Sequence, residues 1–225
     1  MDIPLFPLPS LVLFPNVIIP LHIFEERYKL MINACIDNAE AFGVILLREG
    51  ATEENDETIH QVGVTVRIMQ VERLNDGRMN ILCEGESRFR VDRFTQRVPF
   101  WRGKVEFFED DDDDPEHLEP LYDQVSTLYK KVFDLGIELG IISDTQLALP
   151  DSPSKLSYMI SYLLDIDAED KQRLLEMTST GLRLETLVEH LHNTVQKLEQ
   201  QIAYRKILSK VRGNGDLGKP ADGQP

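Results

Sequence analysis

Cysteine is nearly missing from this chain of 225 residues: Cys35 and Cys83 stand alone in separate segments, with no CxxC pair and no metal-ligand spacing. Thiolate metal centres and dithiol redox chemistry are therefore not called for, and both residues read as small buried hydrophobes. Long apolar runs are lacking as well. Val17–Phe24 is broken by Pro20 and His22, far short of the roughly 20 residues that cross a bilayer, so no membrane partner is expected. Asp2 stands where a basic leader would begin, which argues against a secretory signal and for cytoplasmic residence. Basic residues are few, 24 against 39 acidic ones, for a net charge of −15. Phosphate backbones need concentrated Lys and Arg, so nucleic acid is excluded as the leading partner.

Catalytic signatures are also missing. There is no GxSxG, no HExxH and no Cys/His nucleophile pair. Gly213–Lys219 has the spacing of a phosphate-binding loop, but Pro220 replaces the metal-binding hydroxyl and no strand precedes it. His190 and His192, two apart on a helix, point to different faces. His22 sits between Leu21 and Ile23 without an acid-base partner, and Glu25 and Glu26 complement a helix dipole. The expectation is a non-enzyme without metal or cofactor.

The proline-punctuated front dominates what is present. Pro4, Pro7, Pro9, Pro15 and Pro20 interrupt an apolar stretch that no helix tolerates. Each proline removes a donor and fixes φ, which predicts edge strands and bends, with short β pieces at Leu11–Phe14 and Val17–Ile19. A helix follows, its stripe formed by Tyr28, Met31, Ile32, Cys35 and Ile36.

From Phe42 to Phe108 the pattern is β. Val62, Val64, Val66 and Ile68 alternate with polar neighbours, Asn75-Asp76-Gly77 supplies a hairpin turn, and Gly85 marks a bulge. Glu109–Glu116 contributes seven negative charges and reads as a solvated linker or loop; it lacks the glycine and terminal Glu of a calcium loop. Helical stripes follow: Leu121–Leu139, then a segment begun by Ser152-Pro153 with Leu156, Met159, Ile160, Leu163 and Leu164 facing inward, then a short helix capped by Asp167. Last comes a long helix carrying Leu184, Leu187, Leu191, Val195 and Ile202. Gly213–Pro225 has the composition of a disordered tail.

Several separated motifs resemble the amino-terminal substrate-binding domain of the Lon protease family. They are Pro4–Leu8, Val12–Pro15 and Pro20–Tyr28 in the front segment, then Gly43–Leu46, Val62–Ile68 and Leu74–Val91, and finally Lys171–Leu187. The resemblance runs from residue 3 to about 205. It implies an α+β fold: a PUA-like antiparallel β-barrel over residues 1–108, an acidic linker or loop at 109–116, a helical bundle at 117–209 and a tail at 210–225. It also implies a free-standing form without ATPase or protease domains, which recognises unfolded or damaged protein segments or serves as an adaptor to a separate ATP-dependent protease. Binding of RNA or a small ligand through the barrel, or a hydrolase with unrecognised residues, is the alternative. The long last helix could serve a homodimer. Rigid aromatic relief suits peptide contact, and Phe14, Phe24, Phe100 and Trp101 are the candidate contact residues. Phe100 and Trp101, being adjacent in a strand, must point to opposite faces.

Overall fold

The computed structural model describes residues 1–48, 50, 56–143 and 146–213. Six strands come first, β1 (Asp2–Leu8), β2 (Ile18–Ile23), β3 (Phe42–Leu47), β4 (Ile59–Arg73), β5 (Met79–Gln96) and β6 (Trp101–Phe107), with helix α1 (Glu26–Asn38) between β2 and β3. Four helices follow, α2 (Pro115–Glu138), α3 (Pro153–Leu163), α4 (Ala168–Glu176) and α5 (Thr180–Gly213). The fold is α+β, as the alternation of patterns implies.

The strands form one sheet in the order β2-β5-β4-β3-β1-β6, which curls until β5 also pairs with β6. The expected antiparallel barrel is corrected in two respects. β1 and β3 run parallel, from Leu5 opposite Gly43 to Leu8 opposite Leu46. β2 pairs with β5 alone, so the curled sheet retains an edge and is not a closed barrel.

Prolines also behave differently from expectation. β1 lies inside the sheet, yet Asp2–Leu5 pairs with β6 and Leu5–Leu8 with β3. Pro4 and Pro7 thus each fall in a half-strand with one neighbour, where a missing N–H breaks no second ladder. Leu11–Phe14 is not a strand; it is irregular chain whose Val12, Leu13 and Phe14 are buried. Gly85 is the pivot of β5. It exchanges main-chain hydrogen bonds with Asn16 (2.8 Å) and Val17 (2.9 Å), and a Cβ there would stand 2.4 Å from the Phe14 carbonyl oxygen.

Two apolar cores result from the alternation of side chains along the strands. Ile3, Leu5, Ile45, Phe89, Val91 and Trp101 fill one side of the sheet. Phe6, Phe14, Val44, Val64 and Cys83 face the other, where α1 and the residues Val125, Leu156, Leu175, Leu187 and Leu191 complete a single cluster. Sheet and helices therefore share one core. Two helices begin where Ser152 and Asp167 predict, and α2 begins at a cap the sequence reading did not name, Asp114; each of the three accepts a hydrogen bond from a first-turn N–H. α5 continues to Gly213, past the start of the expected tail; residues 214–225, and with them most of the phosphate-loop spacing, lie outside the described residues.

Candidate functional site

The acidic run is the first surprise at the junction of sheet and helices. Asp110 is not solvated. Its carboxylate accepts hydrogen bonds from Arg88 Nη2 (2.5 Å), Ser154 Oγ (3.0 Å), Tyr158 OH (3.1 Å), Thr180 Oγ1 (2.6 Å) and the Arg183 guanidinium. Arg88 and Arg183 are 2% and 0% exposed at their side chains. They also donate to the carbonyls of Leu175 and Met177, and the Arg183 guanidinium lies 4.2 Å from the centre of the Tyr158 ring. Burial alone would raise the Asp110 pKa, but the hydrogen bond and charge of Arg183, aided by Thr180 and Arg88, hold it below the ordinary carboxylate value. Two buried cations and one carboxylate thereby fasten β5 to α3 and α5.

Three more acids of the run are occupied too. Asp111 accepts from Thr178 Oγ1 at 2.6 Å, Asp113 from Ser179 Oγ and the Gly181 N–H, and Asp114 caps α2. The linker expected to float is pinned because hydroxyls and N–H groups at the start of α5 need acceptors.

A cleft opens beside this junction. Pro15, Asn16, Val17 and Ile18 form one wall, and Pro150 with Lys155, Met159, Tyr162 and Leu163 forms the other, enclosing about 350 Å³. Ile18 and Leu163 are 50% and 51% exposed, large apolar side chains left in water. A second, more polar cavity of about 490 Å³ shares Pro15, Asn16 and Lys155 and extends to Ser152, Ser154, Glu86, Glu109 and the Arg88–Asp110 pair. An apolar trough thus runs into a polar end at the meeting of sheet and helices, where binding sites concentrate.

The trough also meets the edge of β2. Val17 bonds Gly85 across the ladder, so Ile18, Pro20 and His22 turn their main-chain groups away from β5. Pro20 offers no donor there, which blunts the edge against other strands.

The four aromatic candidates are not brought together. Phe14 and Trp101 are buried in different cores, Phe14 against Tyr158 and Trp101 edge-on to Phe94. Phe100 and Trp101 do face opposite ways, but Phe100 is half-buried against the helix-side core. Only Phe24, 59% exposed and stacked on His22, presents a free ring face. It follows β2 while the trough begins at Ile18, so the length of a six-residue strand, about 20 Å, separates them.

The trough residues carried one signal in the sequence. α3 shows an apolar stripe wider than a single core needs: Leu156, Ile160 and Leu164 are buried, whereas Met159 and Leu163 line the trough.

Reactive groups elsewhere are quiet. Burial pushes the thiols of Cys35 and Cys83 up to about 12, away from the thiolate form. Among the described residues no cluster of His, Cys, Asp or Glu is arranged to hold a metal ion, and no helix is long and apolar enough to cross a membrane.

Comparison with known proteins bears on this geometry. The family model described as the ATP-dependent protease La (LON) substrate-binding domain matches residues 2–193. Lon protease of Escherichia coli K12 is 26% identical over 212 residues, covering 93% of this chain and 27% of that protein. Lon protease 2 of Desulfotalea psychrophila is 29% identical over 213 residues, with 93% and 27% covered. The chain spans about a quarter of the length of these curated relatives. Among solved structures, the Lon N-terminal domain protein from Xanthomonas campestris is 28% identical with a TM-score of 0.60, covering 84% of this chain and 98% of that one. The N-terminal domain of Mycobacterium avium complex Lon protease shares the fold at 16% identity, with a TM-score of 0.62 over 85% and 98% of the two chains.

Proposed function

The chain belongs to the Lon substrate-binding domain family, and from that premise we propose that it recognises unfolded or damaged protein segments without chemistry of its own. The cleft between Pro15–Ile18 and α3 is the reading surface. In this role the protein serves as an adaptor that delivers clients to a separate ATP-dependent protease.

The observation that carries the proposal is the pairing of Ile18 and Leu163 across an apolar trough, each half exposed, on walls that also hold two prolines, Val17, Met159 and Tyr162, with Asn16 and Lys155 as the polar members. Prolines stiffen one wall and a helix the other, so little ordering entropy is lost when a client side chain enters. Folded proteins hide such side chains; unfolded ones present them. The acidic surface favours protein over nucleic acid as partner. Leu184, Leu187 and Leu191 of α5 are spent in the shared core, which favours a monomeric reader over a dimer built on that seam.

Fluorescence anisotropy with a permanently unfolded, carboxymethylated client and with its folded parent tests the reading. The unfolded form binds and the folded form does not. Leu163→Asp weakens binding at least tenfold, since burying one leucine side chain is worth about 1.5–3 kcal/mol. Equal, negligible affinity for both forms, or binding indifferent to Leu163→Asp, overturns it.

A further inference from the structure

Resting on that reading of the cleft, we propose that Lys155 makes it selective for the carboxyl terminus of a client chain whose last residues are apolar. Among the described residues Lys155 is the one charged residue lining the trough, and it also lines the polar cavity beyond, which sets this residue where apolar wall gives way to polar. Its backbone N–H is committed to the Ser152 cap, but its exposed side chain has no hydrogen-bond or ion-pair partner among the described residues. In a protein of net charge −15, where many surface lysines and arginines are paired with an acid, an unpaired ammonium beside an apolar trough is a vacant counter-charge.

The other charges of the cleft fix the direction of the bound chain. Beyond Lys155 stand Glu86, bonded to Arg67; Asp110, held by Arg88 and Arg183; and Glu109, exposed. Glu109 repels a carboxylate that passes Lys155, and Arg88 and Arg183, almost wholly buried and already bonded to Asp110 and to main-chain carbonyls, do not draw it onward, so the carboxylate stops there and the residues before it lie in the trough. A chain continuing onward would enter a cavity whose Arg88, Asp110, Ser154 and Tyr158 already satisfy one another, and would gain little for its desolvation. A chain that ends at Lys155 avoids that cost. The trough, at about 350 Å³, has room for the final one or two apolar side chains rather than a long segment.

Three labelled ten-residue peptides with one apolar carboxyl-terminal sequence distinguish the alternatives: the free acid, its carboxamide, and a carboxamide with an aspartate placed internally. The full chain should bind the free acid about fivefold more tightly than the carboxamide, the value of a partly exposed ion pair. Lys155→Gln should erase that difference by weakening only the free acid, and Lys155→Glu should invert it. Unchanged thermal unfolding of both variants shows that the fold is intact. Equal binding of acid and carboxamide, or a preference that survives Lys155→Gln, overturns the assignment while leaving client recognition standing. An internal aspartate that binds as tightly as the free acid overturns the terminal reading in favour of an internal acidic residue. If no peptide binds, or if binding ignores Leu163→Asp, the recognition reading itself fails and this inference with it.

Discussion

Replacing Asp110 by asparagine keeps its shape and removes one charge, which isolates what that carboxylate does. In the native protein it meets two guanidiniums that are almost wholly shielded from water, together with three hydroxyls. The amide nitrogen of asparagine would face donors on every side. Arg88 and Arg183 would be left as like charges in one buried site, and breaking such a pair by removing one partner costs about 3–5 kcal/mol. Against a typical domain stability of about 5–15 kcal/mol that is a large fraction. Urea denaturation followed by tryptophan fluorescence and far-UV dichroism should show a midpoint lower by about 1–2 M, taking a slope of about 2–3 kcal/mol/M. The two signals should separate if the helices release before the sheet that holds Trp101. Asp111→Asn is the matched control. That neighbour accepts one side-chain hydrogen bond at the surface, and its loss should cost no more than about 1 kcal/mol. The pH dependence has a definite sign. Because the folded pKa lies below the ordinary 3.8, the contribution of Asp110 is complete above that value and is lost only as pH falls through the lower, folded one. Equal midpoints for the two variants would refute the argument that the junction rests on Asp110.

Other consequences can be checked on the same protein. His60 is buried at the contact of β4 with α4, with Glu176 3.8 Å from Nδ1 and Glu169 3.1 Å from Nε2; these acids raise its pKa above 6.5 against the effect of burial. Its stabilisation is present in full below 6.5 and fades as pH rises through the raised value, so His60→Gln should flatten the stability profile above pH 6.5 in denaturation series. Phe14→Ala and Trp101→Ala should each destabilise by about 3–5 kcal/mol in equilibrium unfolding, because both side chains are core; a loss of client affinity at unchanged stability would contradict their placement. Gly85→Ala should cost about 1–3 kcal/mol by forcing the Phe14 carbonyl away from β5, and an unchanged melting temperature would refute that close approach.

Local chemistry was readable from the sequence, and pairings between distant segments were not. The stripe of α1, the Asp-Gly hairpin and the caps Ser152 and Asp167 depend on residues a few positions apart, and the structure has each in place, except that Ile36 at the end of the stripe is exposed. The place of Asp110 depends on Arg88 and Arg183, 22 and 73 residues away, and a run of acids gives no sign that one member is buried. The same limit applies to β1. Proline chemistry indicated edge strands, but the half-strand pairing that lets Pro4 and Pro7 sit inside a sheet appears only when β3 and β6 are in register. Phe14 and Trp101 read as contact residues in the sequence because aromatic side chains serve cores and interfaces alike. Burial separates the two uses, and burial is a property of the whole fold.

The staggered pairing of β1 has a consequence during synthesis. Ile3 lies opposite Gly103, so the first strand leaves the ribosome about a hundred residues before its last partner exists. At about 5–20 residues per second it waits roughly 5–20 s with Ile3, Leu5 and Phe6 uncovered. Through that interval Pro4 and Pro7 each withhold a donor from any foreign strand that tries to lie alongside. The residues that let β1 be shared between two neighbours also keep the nascent chain from aggregating before those neighbours arrive.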